Sequence, residues 1–239
     1  MYTSTNNPYI KKLAKLKDKK YRKDSPYFLV EGKHLVLEAL KCGYLEKVIK
    51  LESDDFNYDI ETINVSNNVL KYLSSLENPT IIGICMKKND EIKGNKILIL
   101  DNIQDPGNLG TIIRSSVAFN VDTIILSENT VDLYNEKVLR ATEGLLFHIN
   151  IVRTNLIEVI KKLKEKNYKI YATKVNGGKS LKTLERNQKF AIIMGNEGNG
   201  INDSLLNICD EFLYIDMNKT CESLNVGVAT SIILYELDK

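Results

Sequence analysis

The chain is organised around Phe212–Glu236, FLYIDMNKTCESLNVGVATSIILYE. Phe212–Ile215 is an apolar run of strand length. Met217–Glu222 is polar and unpatterned. Ser223 then stands where a helix N-cap belongs, ahead of Leu224, Val226, Val228, Ala229, Ile232 and Ile233, a helix-like apolar set. Such a junction aims backbone N–H groups and two small polar side chains, Ser223 and Asn225, into the space beyond the strand's end. In an α/β sheet, ligands bind at that edge. An ordinary capped helix would read the same way, so the decision rests on the segments upstream.

Working backwards, strands fit Ile97–Leu100, Thr123–Leu126, Ile149–Val152, Lys169–Ala172 and Phe190–Met194. Helices fit Leu109–Phe119, Asn135–Leu146, Leu156–Lys166, Ser204–Cys209 and Ser223–Leu237. This alternation predicts an α/β domain with a mainly parallel sheet covered on both faces. Polar and glycine residues concentrate in three places. Ile97–Leu100 leads into DNIQDPGNLGTIIRSS, Phe190–Met194 into GNEGNGIND, and Phe212–Ile215 into DMNKTCESLN. Parallel strands would release all three loops at one edge of the sheet. Pro106-Gly107 is read as a tight turn, with Asn108 at a helix cap. Arg114, between Ile113 and Ser115, is a charge that needs a partner in a mostly apolar helix; a phosphate or Glu197 would serve. Gly195, Gly198 and Gly200 permit close backbone approach to a ligand, or are simply turns.

The N-terminal part reads as a smaller α/β unit with its own core. Strands fit Tyr27–Val30, Val48–Leu51, Thr62–Val65 and Ile81–Met86, and helices fit Lys33–Lys41 and Ser66–Leu73. Lys87–Asn95 is polar and divides the chain into domains at residues 1–90 and 96–239. Ahead of the first strand, Lys11, Lys12, Lys15, Lys19, Lys20 and Arg22 crowd around Ile10, Leu13 and Leu16, whose spacing predicts an amphipathic helix with a basic face. That face is either an electrostatic footprint for RNA phosphates or a solvated lysine-rich surface.

Composition narrows the classes. The 43% hydrophobic and 27% charged content is that of a globular protein, and no apolar run is long enough for a membrane span. The N-terminus has no apolar signal core, so a cytoplasmic protein is expected. Cys42, Cys85, Cys209 and Cys221 form no C-x-x-C pair, which fits reduced thiols. With only His34 and His148, a multi-histidine site is disfavoured and no metal is expected. His34 is read as structural.

Together the three loops resemble the SpoU (TrmH-like) family of RNA ribose 2′-O-methyltransferases, within the SPOUT superfamily. The motifs are Asn108-Leu109-Gly110 with Arg114, then Gly195–Gly200, then Ile215-Asp216-Met217 with Glu222-Ser223-Leu224-Asn225-Val226. The stretches NPYIKKLAKLK and FLVEGKHLVLEAL look like the L30e-like RNA-binding domain that precedes the catalytic domain in ribosomal-RNA members. The resemblance implies a C-terminal trefoil knot, S-adenosylmethionine as cofactor, structured RNA as substrate (ribosomal before transfer RNA), and a homodimer with active sites near the subunit interface. It places the cofactor against Gly195, Asn196, Ile215, Met217 and Leu224. It gives Arg114 the task of activating the 2′-hydroxyl and of meeting RNA, with Asn108, Glu197, Ser223 and Asn225 as the surrounding frame. Two positions depart from the family's pattern: Asp216 stands for proline, and Gly227 for serine or alanine.

A phosphate-loop reading of Asn176-Gly177-Gly178-Lys179-Ser180 fails because Thr173 occupies a required glycine position. A Rossmann enzyme would carry its glycines after an early strand. The remaining alternative is a ribosome-assembly factor that keeps the fold and binds RNA without transferring methyl groups. Housekeeping methylation and a drug-resistance role are not separable in the sequence.

Overall fold

The computed structural model describes residues 1–54, 57–175, 177–183, 188–218 and 220–238. They form two compact units, one of Met1–Lys88 with Asp132–His148, the other of Asn89–Val131 with Ile149–Lys239.

In the first unit the chain opens with α1 (Pro8–Ala14), a 3-10 turn (Lys15–Lys17) and α2 (Lys19–Asp24). The expected single basic helix is therefore broken. Asp18 breaks it: its carboxylate accepts the Lys20 N–H at 2.9 Å and caps a second helix. Ile10, Leu13 and Leu16 are buried, as their spacing demands. There follow β1 (Tyr27–Glu31), α3 (Lys33–Lys41), β2 (Leu45–Leu51), β3 (Thr62–Val65), α4 (Asn67–Leu73) and β4 (Ile81–Met86). The sheet order is β1-β4-β2-β3, with β4 antiparallel to both neighbours and β2 parallel to β3. Ile82 and Ile84 share a core with Ile10, Leu13, Val69 and Leu73 from α1 and α4. On the opposite face, a Cβ at Gly83 would lie 2.6 Å from Leu45 and 3.3 Å from Val36. Only glycine lets α3 settle there.

The second unit carries β5 (Lys96–Leu100), α5 (Pro106–Ala118) and β6 (Thr123–Leu126). The chain then passes through α6 (Glu136–Ala141), which lies in the segment belonging to the first unit. There α6 packs against β1, and the rings of Phe28 and Tyr134 stand 4.3 Å apart. The helix expected over Asn135–Leu146 stops early because Glu143 and Gly144 take φ of +49° and +82°. A 3-10 turn, Leu145–His148, replaces its last part.

The second unit resumes with β7 (Asn150–Arg153), α7 (Leu156–Glu165), β8 (Lys169–Thr173), β9 (Lys179–Ser180), β10 (Phe190–Met194), α8 (Asp203–Leu206), β11 (Glu211–Tyr214) and α9 (Val226–Asp238). Its strand order is β7-β6-β5-β10-β8-β11-β9, and every pairing is parallel. Ile97, Ile99, Ala191 and Ile193 face a core shared with Leu156, Ile160 and Leu163 of α7 and Leu205 of α8. The alternate residues Leu98, Leu100, Ile192 and Met194, also buried, face the other side of the pleat. The linker is tied to this unit: Asp90 accepts the Ile151 N–H at 2.8 Å, and Asp122 accepts the Asn95 N–H at 2.7 Å. No helix of the described residues is long and apolar enough to cross a membrane. Asn176, in the rejected phosphate-loop stretch, lies outside the described residues.

Candidate active site

The three loops sit where parallel strands deliver them. Leu100 of β5 pairs with Met194 of β10, so the loops after these neighbouring strands leave side by side. The loop after β11 emerges at the same edge, with β8 intervening.

The first loop differs from its expected form. Pro106 and Gly107 are not a separate turn but the first residues of α5. Asp105 caps this helix by accepting the Asn108 N–H at 2.8 Å, and Pro106 at the first helical position has no N–H to strand. Asn102, at φ +59°, turns its carbonyl to the Asn196 side-chain amide at 2.8 Å.

The second loop closes on itself. Asn196 and Gly200 exchange backbone hydrogen bonds of 2.9 Å in both directions. Asn196 Oδ1 also accepts from the Gly198 and Asn199 N–H groups. A Cβ on Gly195 would stand 2.4 Å from the Gly200 carbonyl carbon, so this turn requires glycine.

The third loop corrects the expected helix start. α9 begins at Val226, and its cap is Asn225 rather than Ser223: Asn225 Oδ1 accepts the N–H of Gly227 at 2.9 Å and of Val228 at 3.3 Å. Gly227 lies against Thr111, where a Cβ would come to 3.1 Å. One step along the seam Ser115 and Ser231 hydroxyls meet at 2.6 Å. Gly227 thus serves close packing of α9 on α5, a gain set against its helix propensity.

One chain of side-chain hydrogen bonds crosses all three loops. Asn225 Nδ2 donates to Asn108 Oδ1 at 2.9 Å, and Asn108 Nδ2 donates to Glu197 Oε1 at 2.7 Å. Its polarity is fixed at both ends. The helix N–H groups hold Asn225 with its oxygen inward, and the carboxylate of Glu197 can only accept. Glu197 therefore partners Asn108, not Arg114.

Arg114 is exposed on α5, and no hydrogen bond or ion pair joins it to another described residue. Ser223 is exposed as well; its carbonyl accepts from the Cys221 thiol at 3.3 Å, and its hydroxyl joins none of the network. The structure thus brings Asn108, Glu197 and Asn225 together and leaves Arg114 and Ser223 outside their hydrogen-bond chain.

The expected cofactor positions suit an adenosyl group. Gly195, Asn196, Ile215, Met217 and Leu224 are all half-buried in the loops at the sheet edge. Among the described residues, no acceptor meets the backbone N–H of Ile215, Met217 or Leu224. Half-buried apolar side chains with unspent main-chain donors match a flat heteroaromatic ring with acceptor nitrogens. Asp216 is not a bare charge here: Ser180 donates to its carboxylate at 2.5 Å, and the Lys182 ammonium lies 3.7 Å away.

The basic face divides. Lys11, Lys12, Lys15, Lys19 and Lys20 are exposed, with the Lys15 and Lys20 ammoniums 5.2 and 5.9 Å from the ring centre of exposed Tyr21. Arg22 is a correction: it is 3% exposed and cannot reach RNA. Its guanidinium binds Asp132 at 2.7 and 2.8 Å and the carbonyls of Leu16 and Lys17 at 2.6 and 2.9 Å.

Asp105, Asn102 and Lys182 support the loops and were not singled out by sequence, and Ser180, weighed only in the rejected phosphate-loop reading, joins them. Asp105 alone carried a readable signal, a capping residue directly before proline. A shallow cleft lined by Asp101, Ser127, Asn129, Asn155 and Asn202 opens beside β5–β7 and contains no residue of the network.

Residues 95–235 match the SpoU rRNA Methylase family, and residues 7–83 match the MRM3-like substrate binding domain. The chain is 36% identical to the 23S rRNA (guanosine(2553)-2′-O)-methyltransferase RlmP of Bacillus subtilis, covering 98% of this chain and 97% of that one. It superposes on the AdoMet-bound rRNA methyltransferase of Sinorhizobium meliloti with a TM-score of 0.86 at 28% identity, over 98% of this chain and 95% of that one. It shares the fold of the SpoU methyltransferase AviRb from Streptomyces viridochromogenes, with a TM-score of 0.88 at 22% identity over 98% and 97% of the two chains.

Proposed function

The chain belongs to the SpoU rRNA methylase family, and from that premise we propose that the three joined loops are its catalytic centre. The protein is an S-adenosylmethionine-dependent RNA 2′-O-methyltransferase acting on ribosomal RNA. The observation that carries the site assignment is the Asn225–Asn108–Glu197 chain, which joins three loops distant in sequence at one edge of the sheet.

When bound, the cofactor would supply an electrophilic methyl group on a sulfonium, so the chain's own residues have to hold and align the reactants and stabilise the 2′-oxygen as its proton passes to solvent. Gly195, Asn196, Ile215, Met217 and Leu224 would hold the cofactor, with the N–H groups of Ile215, Met217 and Leu224 as its main-chain donors. Arg114 faces the RNA. A guanidinium with a pKa above about 12 is a poor proton acceptor at neutral pH. Its part is to grip the phosphate beside the reacting ribose and stabilise the oxygen as it becomes an alkoxide. Asn108, Glu197 and Asn225 keep α5 and α9 in the alignment that aims Arg114. Ser223 adds a hydroxyl at the rim, and Lys11, Lys12, Lys15, Lys19 and Lys20 attract RNA along the first unit.

The RNA favoured is 23S rRNA, at a guanosine, because the Bacillus relative that matches over nearly the whole chain is named for that reaction. A cytoplasmic location fits such a substrate. A homodimer is favoured by the apolar side chains that α9 leaves exposed, Val228 at 46% and Tyr235 at 51%. A monomeric mass by light scattering at micromolar concentration contradicts it.

The test is ribose-methylation mapping of 23S rRNA from cells lacking the protein, after incubation with enzyme and S-adenosylmethionine. One protected guanosine is expected, with single-turnover transfer strongly slowed in Arg114→Ala. An undiminished rate in that variant refutes the role given to Arg114.

A further inference from the structure

In the first unit, Glu38, Cys42 and His148 each bring one ligand atom to within 4.8 Å of the other two. Glu38 and Cys42 lie four residues apart, one turn along α3 and its end, so they share a face. His148 closes the 3-10 turn of the inserted segment. Its Nε2 is 3.0 Å from Glu38 Oε2 and 3.6 Å from Cys42 Sγ.

A thiol–imidazole–carboxylate relay for nucleophilic catalysis needs its two partners on opposite ring nitrogens. Here Nε2 already meets the Glu38 carboxylate, and the Cys42 sulfur lies beside the ring, 3.6 Å from Nε2 and 4.0 Å from Nδ1, so no nitrogen is left to the thiol alone; the three groups gather within 4.8 Å of one another. That is how ligands surround an ion. With ligand bonds of about 2.0–2.3 Å, tetrahedral neighbours stand roughly 3.3–3.8 Å apart. Here Nε2 is 3.0 Å from the oxygen and 3.6 Å from the sulfur, and the remaining pair lies within 4.8 Å, so small side-chain rotations admit an ion.

The surroundings hold the three in place. Lys41 pairs with the other oxygen of Glu38 at 2.7 Å, leaving Oε2 turned toward the histidine. Gly144, at φ +82°, runs so close that a Cβ there would sit 2.9 Å from Glu38 Cγ. His34 Nε2 meets the Glu143 carbonyl at 3.0 Å and ties the same stretch to α3. The nearby Lys88 ammonium is engaged with the Cys42 carbonyl at 2.7 Å.

We propose that Glu38, Cys42 and His148 form a three-ligand site for a thiolate-seeking divalent ion of the zinc class, which staples the inserted segment to α3. A mixed sulfur, nitrogen and oxygen set selects zinc or cobalt over magnesium or calcium. The ion binds the sulfur in place of its proton, which passes to solvent, and water completes the tetrahedron. This site uses no residue of the catalytic loops, and its metal is proposed against the sequence-based expectation of none.

The test titrates the full-length protein with Co2+ under reducing conditions and follows the thiolate-to-cobalt charge-transfer band. The expected result is saturation at one equivalent, bleaching by one equivalent of Zn2+, and a higher melting temperature with Zn2+ bound. Cys42→Ser and His148→Gln should each weaken binding by more than the about 10–100-fold that losing an outer-sphere partner costs, while Cys221→Ser leaves it intact. Melting of each variant without metal reports that it is folded. Absence of the band in the wild-type protein, or an unchanged band in folded Cys42→Ser or unchanged affinity in folded His148→Gln, overturns the proposal.

Discussion

Asn225→Asp separates the network from the helix cap it shares. Aspartate caps as well as asparagine, so the oxygen that receives the Gly227 and Val228 N–H groups is kept. The donor to Asn108 is lost, and an oxygen faces Asn108 Oδ1 at a position that held a 2.9 Å hydrogen bond. Asn108 cannot relieve this by flipping, because its Oδ1 would then face the Glu197 carboxylate. Loss of the bond costs about 0.5–1.5 kcal/mol, and a negative charge at the start of α9 offsets about 0.3–1 kcal/mol of it. Net stability changes by about 1 kcal/mol or less, a melting shift of no more than about 4 °C for a chain of this size. Catalysis should suffer more. Disturbing a charged hydrogen bond worth about 1.5–3 kcal/mol, if felt wholly in the transition state, slows transfer about 10–100-fold. Single-turnover methylation with labelled cofactor and thermal scanning read the two effects separately. A variant that methylates at the wild-type rate, or one whose melting falls as far as that of Asn225→Ala, refutes the reasoning.

Arg22→Ala leaves Asp132 without its partner in a mostly buried pair and should destabilise the protein by about 3–5 kcal/mol, measured by urea unfolding. By contrast, the double variant Lys15→Ala, Lys20→Ala should melt as the wild type does and show weaker RNA binding with a shallower salt dependence in filter-binding assays. Gly195→Ala forces a Cβ against the Gly200 backbone and should abolish cofactor binding by calorimetry while the sheet persists by circular dichroism. The Asp238 carboxyl is held below its ordinary value by its hydrogen bond to Lys96 and by Asn120, against the opposing effect of burial. Since the folded value is the lower one, this stabilisation is present above about pH 4 and is lost as pH falls through the depressed value. Asp238→Asn should therefore flatten the acid limb of the stability profile.

Most of the parallel sheet and its loop edge followed from local pattern, since apolar runs of strand length alternate with helices except between β8 and β10, where the short polar β9 carries no such signal. Residues that join loops through space were harder to place. Ser223 and Asn225 are both good caps, and only the position of α9 against Thr111 decides that Asn225 fills the role. Arg22 sits in a run of lysines, and nothing local distinguishes a buried guanidinium from an exposed ammonium; its partner is 110 residues away. Cys42 and His148, 106 residues apart, meet because Asp132–His148 packs back onto the first unit, a contact no periodicity encodes. Asp216 looked like an intrusion until Ser180 and Lys182 supplied its partners across the edge of the sheet.

Calorimetric titration of the purified protein with S-adenosylhomocysteine, beside a Leu224→Arg variant, decides whether the three-loop edge is an adenosyl-cofactor site. Micromolar binding to the wild type and none to the variant is expected, with both melting as folded proteins. A folded wild type that does not bind, or a variant that binds equally well, contradicts that assignment.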